Sequence, residues 1–143
     1  MSTYLLDVNG LIAILDAQHV AHQRAKQWFE ALGDSQWMTS PTTQNGAIRI
    51  LSNPKYSSDI TPSRVIQSLH ILTRRGSHRF IVDAISMLDP EIMAADRLLS
   101  HSQITDSYLL ALAAEHNASL ATFDKRLVTS AVRSEQKRVY LIP

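Results

Sequence analysis

Three aspartates occupy positions where a carboxylate is costly unless it serves a shared purpose. Asp7 and Asp124 each follow a short apolar run directly, and Asp106 opens a long apolar segment. An unpaired carboxylate in such surroundings is expensive to bury. Two carboxylates about 4 Å apart repel by roughly 4 kcal/mol at an effective dielectric near 20, and a bound cation removes that repulsion. Because oxygen ligands favour hard ions, the three acids predict a site for Mg²⁺ or Mn²⁺ if the fold brings them together.

Short apolar runs alternate along the chain with segments of helical periodicity, and this alternation predicts how the acids are positioned. The predicted strands cover residues 4–6, 36–39, 79–82, 119–123 and 139–142. The predicted helices include residues 11–15, 22–32, 42–53, 62–76, 90–99, 102–117 and 125–132. Since a crossover between parallel neighbours needs a helix, the pattern predicts an α/β fold with a central five-stranded parallel sheet. Ligands of such sheets bind outside the carboxyl ends of strands, where Asp7 and Asp124 fall.

Several polar residues also suit purely structural roles. Asp106 and Asp124 are in suitable positions to cap helices. The six histidines of the chain are not assigned a role, and surface placement accounts better for the pair His19 and His22 than a metal site does. Gly46 lies inside the third predicted helix, where glycine costs about 1 kcal/mol relative to alanine, and this favours a close approach to another element there.

Composition limits the class of protein. The chain has 143 residues, of which 45% are hydrophobic and 19% charged, so one globular domain with a substantial core is expected. It has no cysteine, which excludes disulfides and thiolate metal sites and fits a location in the cytoplasm. Its formal net charge of +1 gives no overall field that indicates a nucleic-acid or membrane partner. No secretory signal or membrane span is predicted.

Four segments of the chain resemble the signature segments of PIN-domain ribonucleases, with the strongest similarity to the VapC toxins of bacterial toxin–antitoxin pairs. They are YLLDVN at 4–9, TQNGAIRI at 43–50, ITDSYLLALA at 104–113 and LATFD at 120–124. The resemblance implies one PIN domain over residues 1–143, a parallel sheet of order 3-2-1-4-5 and a Mg²⁺ or Mn²⁺ site. It further implies endoribonuclease activity on RNA, a homodimer, and inhibition by a VapB-type antitoxin.

Position by position, the resemblance assigns roles within the expected site. It implies that Asp7, Asp106 and Asp124 are catalytic metal ligands, with Asn9 and Thr122 as flanking polar residues. Gln44 stands in the segment where the family often has Glu, and it is the remaining candidate catalytic residue. A neutral amide is a weaker ligand than a carboxylate, so a second tightly held metal is not expected from this segment.

Local positive charge offers candidates for RNA binding. The segment from residue 125 to residue 138, which begins directly after Asp124, contains five basic residues and one acid. Lys125 and Arg126 in that run, and Arg49 on the helix of Gln44, are candidates for contacting phosphate. A solvated helical face accounts for the run equally well, and Arg49 is equally suited to pairing with an acid.

Two other functions remain open from the sequence. A phosphatase of the haloacid dehalogenase type also begins with an aspartate after its first strand. That chemistry uses a second aspartate two residues later as a general acid, and Asn9 occupies this position here. The other alternative is a catalytically weakened PIN module that binds RNA or protein, which Gln44 favours.

Overall fold

A central sheet of five short strands organises the molecule in a computed structural model that describes residues 2–143. The strands are β1 (Thr3–Leu6), β2 (Gln36–Thr39), β3 (Ser77–Phe80), β4 (Ser119–Thr122) and β5 (Val139–Leu141). All four neighbouring pairs are parallel, in the order β3-β2-β1-β4-β5. The predicted fold class and strand order are therefore confirmed.

Helices cover both faces of the sheet. The α-helices are α1 (Val8–Leu15), α2 (His22–Glu30), α3 (Pro41–Leu51), α4 (Pro62–Leu72) and α5 (Ile104–Glu115). Two short 3₁₀ turns, at Ala95–Arg97 and His101–Gln103, precede α5. In the part of the chain that the structure describes, no helix has the length and apolar character that crossing a bilayer requires.

The three central strands β2, β1 and β4 have buried side chains on both faces of the sheet, because successive side chains point to opposite sides of a strand. Leu6 of β1 joins a core formed with α1, α2, α3 and α4. Its neighbour Leu5 joins a second core, in which Leu109 and Leu110 of α5 pack on the other face. The helix α5 is apolar nearly all round and lies in this second core, as its sequence predicts.

The start of α4 has a local explanation, and the close approach predicted at Gly46 is confirmed. Thr61 caps α4, where its hydroxyl accepts the backbone N–H of Arg64, and Pro62 is the first helical residue. A methyl group at Gly46 would lie 2.8 Å from Cγ2 of Val8, so α3 and α1 are in close contact there. Glycine is therefore required at this crossing.

Three predicted elements differ from the structure. The third strand lies at Ser77–Phe80 rather than 79–82, because His78 stacks on Trp37 and binds Thr39 in β2. Residues 90–99 form only the first 3₁₀ turn, since the N–H of Ala94 donates to the carbonyl of Ala131, 37 residues away. Residues 125–132 form no helix, because their end is drawn into this same contact by the Met93–Val132 bridge.

Candidate active site

The three aspartates singled out by the sequence line one open cavity of about 500 Å³. Asp7 follows β1, Asp124 follows β4, and these two strands are neighbours in the sheet. Asp106 reaches the cavity from the first turn of α5. The remaining lining residues are Val8, Asn9, Ile12, Ile50, Tyr56 and Phe123. Side chains more than 100 residues apart in sequence thus share one acidic cavity.

Asp7 is the most deeply placed of the three acids. It is the N-cap of α1, and its Oδ1 accepts the backbone N–H of Gly10 at 2.7 Å. Only 3% of the residue is exposed. A Cβ at Gly10 would lie 2.9 Å from this Oδ1, so glycine leaves the room that the carboxylate occupies. The capping bond and the close glycine fix the position of the Asp7 carboxylate.

Thr122 connects two of the acids. Its hydroxyl donates to Oδ2 of Asp7 at 2.5 Å, and the hydroxyl oxygen, Oγ1 of Thr122, accepts the backbone N–H of Asp124 at 3.0 Å. Thr122 is fully buried at the end of β4. Because a hydroxyl has one proton, donating to Asp7 leaves only its lone pairs for Asp124. Thr122 therefore sets the spacing between the ends of β1 and β4.

Neither Asp106 nor Asp124 is the N-cap residue of a helix, although Asp106 lies in the first turn of α5. The N-cap position of α5 is Gln103, whose side chain makes no capping bond, and Asp106 lies three residues further on. Asp124 accepts the N–H of Arg126 at 2.8 Å through Oδ1, but no helix follows it. Neither carboxylate is explained by a helix end alone.

The electrostatics of the cavity reflect burial and mutual repulsion. Burial raises the pKa of Asp7 to about 6, although hydrogen bonds from Thr122 and Gly10 oppose the shift, and the charges of Asp106 and Asp124 add to it. Burial also raises the pKa of Asp106, with a further contribution from Asp124. The cavity therefore holds more negative charge than its surroundings neutralise.

This donor set fits a hard divalent cation. Carboxylate oxygens are the ligands that Mg²⁺ and Mn²⁺ prefer, and a cation among them would offset the burial and the mutual repulsion that raise the pKa of Asp7 and Asp106. Within residues 2–143, no three histidine, aspartate or glutamate side chains already stand in a ready-made ligand arrangement. The acids that share the cavity would have to draw together around the ion.

Of the two amide residues predicted for the site, Asn9 lies in the cavity and Gln44 lies outside it. Asn9 lines the cavity, and its Oδ1 lies 3.3 Å from Nε2 of His19. The structure does not bring Gln44 to the cavity. Its amide donates to Oγ1 of Thr39 at 3.0 Å, and its side chain lines a separate groove with Ile48 and other residues of α3 and α4.

The candidate RNA-binding residues are exposed, but several side chains of the basic run between residues 125 and 138 are hydrogen-bonded to backbone carbonyls. Arg49 is exposed on α3, and Lys125 and Arg126 are exposed in the loop after Asp124. Further along, the side chains of three basic residues donate to backbone carbonyls at 2.7 to 2.9 Å. These are Arg133, Lys137 and Arg138. Because no helix forms at 125–132, the run is not a solvated helical face.

Sequence reasoning missed two features of this edge of the sheet. Tyr56 lines the cavity from the loop between α3 and α4, where a single tyrosine in a polar segment was the available signal. Asp83, after β3, accepts the backbone N–H and hydroxyl of Thr42 at 3.0 and 2.8 Å. Asp83 thus binds the start of α3 and does not line the acidic cavity.

Known proteins share both the sequence pattern and the sheet of this chain. The PIN domain family matches residues 4–131. Ribonuclease VapC44 of Mycobacterium tuberculosis is 40% identical over 134 residues, which cover 94% of each chain. Ribonuclease VapC38 of the same organism is 34% identical over 139 residues, or 96% of each chain. Ribonuclease VapC39 is 37% identical over 130 residues, which cover 90% of this chain and 94% of the relative.

A solved structure has the same fold. The crystal structure of Mycobacterium tuberculosis VapC20, described as a toxin that cleaves the sarcin-ricin loop, superposes with a TM-score of 0.65. The match covers 90% of this chain and 95% of the other, at 13% sequence identity. Together with the shared sheet order and the match to relatives over most of their length, this establishes that the chain belongs to the PIN-domain family, as a VapC-type member.

Proposed function

We propose that this protein is a Mg²⁺- or Mn²⁺-dependent endoribonuclease that acts as a VapC-type toxin. The observation that carries the proposal is the convergence of Asp7, Asp106 and Asp124 on one cavity. The names of the relatives support RNA as the substrate class, since three of them are ribonucleases. Hydrolysis of a phosphodiester needs an activated water and neutralisation of the charge that develops on the phosphate.

The residues of the chain divide this work. Asp7, Asp106 and Asp124 would hold the ion, which when bound would supply an activated water and neutralise phosphate charge. Thr122 donates its hydroxyl to the carboxylate of Asp7 and accepts the backbone N–H of Asp124, so it orients the first carboxylate and fixes the backbone of the second acid. Asn9 presents its amide to the cavity beside them. Lys125 and Arg126 extend from the loop after Asp124, where RNA phosphates leaving the cavity would meet them.

The placement of two amides favours the nuclease over the alternatives. The weakened module was suggested by a missing charge at Gln44, yet this side chain is outside the cavity and does not alter its charge. A haloacid dehalogenase-type phosphatase needs a proton donor at position 9. Nδ1 of His19 accepts the N–H of Ala21, so the proton of this imidazole is on Nε2. Nε2 therefore donates to Oδ1 of Asn9, and the side-chain oxygen at position 9 is an acceptor rather than a proton donor.

Further proposals follow from membership of the family. We propose that residues 1–143 form a single PIN domain, that the protein works in the cytoplasm, and that it forms a homodimer neutralised by a VapB-type antitoxin. Several apolar side chains that are at least 40% exposed are available for such contacts, among them Ile66, Ile71, Val82 and Leu88. Sedimentation of the purified protein tests the dimer, and copurification with the product of a neighbouring reading frame tests the antitoxin.

The decisive experiment is RNA cleavage by the purified protein. Total RNA is incubated with the wild-type chain, with Asp7→Asn and with Asp34→Asn, each with Mg²⁺ and with a chelator. Asp34 is exposed in the turn after α2 and makes a matched control. We expect Mg²⁺-dependent cleavage by the wild type and the control, and a loss of about 100-fold or more in Asp7→Asn. Equal cleavage by Asp7→Asn, or cleavage unaffected by the chelator, would reject the proposal.

A further inference from the structure

Tyr56 presents an aromatic ring at the edge of the acidic cavity. The side chain lines the cavity with the three aspartates, and 40% of the residue is exposed. Among the stacked aromatic and cation–π pairs formed by residues 2–143, none includes Tyr56. Phe123, the other ring of this cavity, carries the guanidinium of Arg24 at 5.0 Å from its centroid. Tyr56 is therefore the cavity ring without such a partner.

The ring of Tyr56 is held in position from two directions. Its backbone N–H donates to the carbonyl of Asn53 at 2.8 Å, and the side chain of Asn53 accepts the N–H of Lys55 at 2.9 Å. Its hydroxyl donates to Asp16, whose other oxygen accepts the N–H of Gln18 at 2.9 Å. The loop turn and the end of α1 thus fix the base and the tip of the side chain.

The hydroxyl of Tyr56 stays protonated at neutral pH and remains a donor. Partial burial and the hydrogen bond and charge of Asp16 raise the pKa of Tyr56 to about 12. A fixed aromatic face pays less conformational entropy when it binds a flat partner than a freely rotating one does. The arrangement is that of a preorganised stacking surface beside the acids.

We propose that Tyr56 is a positioning residue that stacks one unpaired base of the RNA strand beside the scissile phosphate at the acidic cavity. This inference rests on the proposed function. Stacking on an aromatic side chain suits any base, because every base has a flat face. It also requires that the base be unstacked from its neighbours, which single-stranded loops and ends allow and a duplex does not. Tyr56 would therefore select unpaired RNA rather than a base sequence.

Binding of two probes isolates stacking from other roles. Asp7→Asn serves as the parent protein so that RNA is not cleaved. The first probe is a single-stranded RNA of random sequence and about twelve nucleotides, which is long enough to span one binding groove. The second probe is a tetrahydrofuran-phosphate strand of the same length, which has no bases. Fluorescence anisotropy at equal salt measures both affinities. The further variants, all in the parent, are Tyr56→Leu, Tyr56→Phe and the control Phe80→Leu, which removes a half-exposed aromatic ring on β3.

The expected results are specific to the ring. Tyr56→Leu should bind RNA about 5- to 100-fold more weakly than the parent while binding the baseless strand equally well. Tyr56→Phe, which keeps the ring, and Phe80→Leu should both stay within about threefold of the parent. Independently of any variant at position 56, the parent should bind RNA at least about fivefold more tightly than the baseless strand.

Two results for Tyr56→Leu would overturn the inference: unchanged RNA binding, or an equal loss for both probes, which would indicate an effect through the fold or charge. A parent that does not prefer RNA over the baseless strand would overturn it as well. Cleavage by the wild type is scored separately. If the wild type cleaves RNA and these binding results fail, only the role of Tyr56 is lost. If the wild type cleaves no RNA, the proposed function itself fails.

Discussion

Replacing Asp7 by asparagine is expected to stabilise the metal-free protein at neutral pH while abolishing cleavage. The carboxyl group is 3% exposed, and burial raises its pKa to about 6 from an ordinary value of 3.8. An acid whose pKa is higher in the folded state costs stability when it ionises. A shift of about two pKa units at 1.36 kcal/mol each corresponds to a cost of about 3 kcal/mol.

The direction of the pH dependence follows from the same shift. Below about pH 4, Asp7 is protonated in both the folded and the unfolded chain, so its ionisation costs nothing. Between about pH 4 and pH 6 the unfolded chain loses its proton first, and stability falls as the pH rises. Above about pH 6 the full cost is present. Asparagine removes this cost and its Oδ1 still accepts the N–H of Gly10, while the hydroxyl of Thr122 turns its proton away and accepts an N–H of the amide instead.

Urea unfolding in the presence of a chelator measures the effect. We expect Asp7→Asn to be about 1 to 3 kcal/mol more stable than the wild type at about pH 7.5, with a difference that declines toward zero at about pH 4. In thermal melts this corresponds to an increase of about 3 to 9 °C in the midpoint. Asp34→Asn, an exposed control, should show no such gain. A destabilised Asp7→Asn, or a difference that is the same at both pH values, would refute the electrostatic reasoning.

Three other variants test the packing, the assigned residues and the basic side chains of the site. Gly10→Ala places a methyl group 2.9 Å from Oδ1 of Asp7 and should lower the cleavage rate by about 10-fold or more, so an unchanged initial rate would contradict the packing argument. Gln44→Ala should leave the cleavage rate unchanged within about twofold and lower the free energy of unfolding by about 1 kcal/mol, because its amide binds Thr39 outside the cavity. Exchange of both Lys125 and Arg126 for glutamine should reduce the slope of log affinity for RNA against log salt by about 2, and an unaltered slope would exclude both from phosphate contact.

The sequence predicted those parts of the site that follow directly from strands. Apolar runs locate β1 and β4 within a residue of their observed bounds, and Asp7 and Asp124 follow them. The order of the strands came from the resemblance, because periodicity alone does not say which strands are neighbours. A core helix is similarly recognisable in α5, since its leucines and alanines leave no polar side.

The predictions failed where long-range contacts or the rotation of a helix decide the outcome. Residues 125–132 have helical character, but the backbone of Ala131 and Val132 pairs with the segment around Met93 instead. Gln44 was expected in the cavity because its segment matches the family. On α3, Ile50 lies six residues further on and points in another direction, and it is Ile50 that lines the cavity. A motif locates a residue along a helix without fixing which way it faces.

The pairing of β1 with β4 has a consequence for how the protein is made. Leu6 lies opposite Ala121, so the middle of the sheet joins the first strand of the chain to one of the last. A polypeptide that terminates before residue 119 lacks both β4 and Asp124, and nothing in the earlier part substitutes for that strand beside β1. Fragments from interrupted translation therefore cannot assemble the cavity of the three aspartates, which forms only once synthesis of the chain is nearly complete.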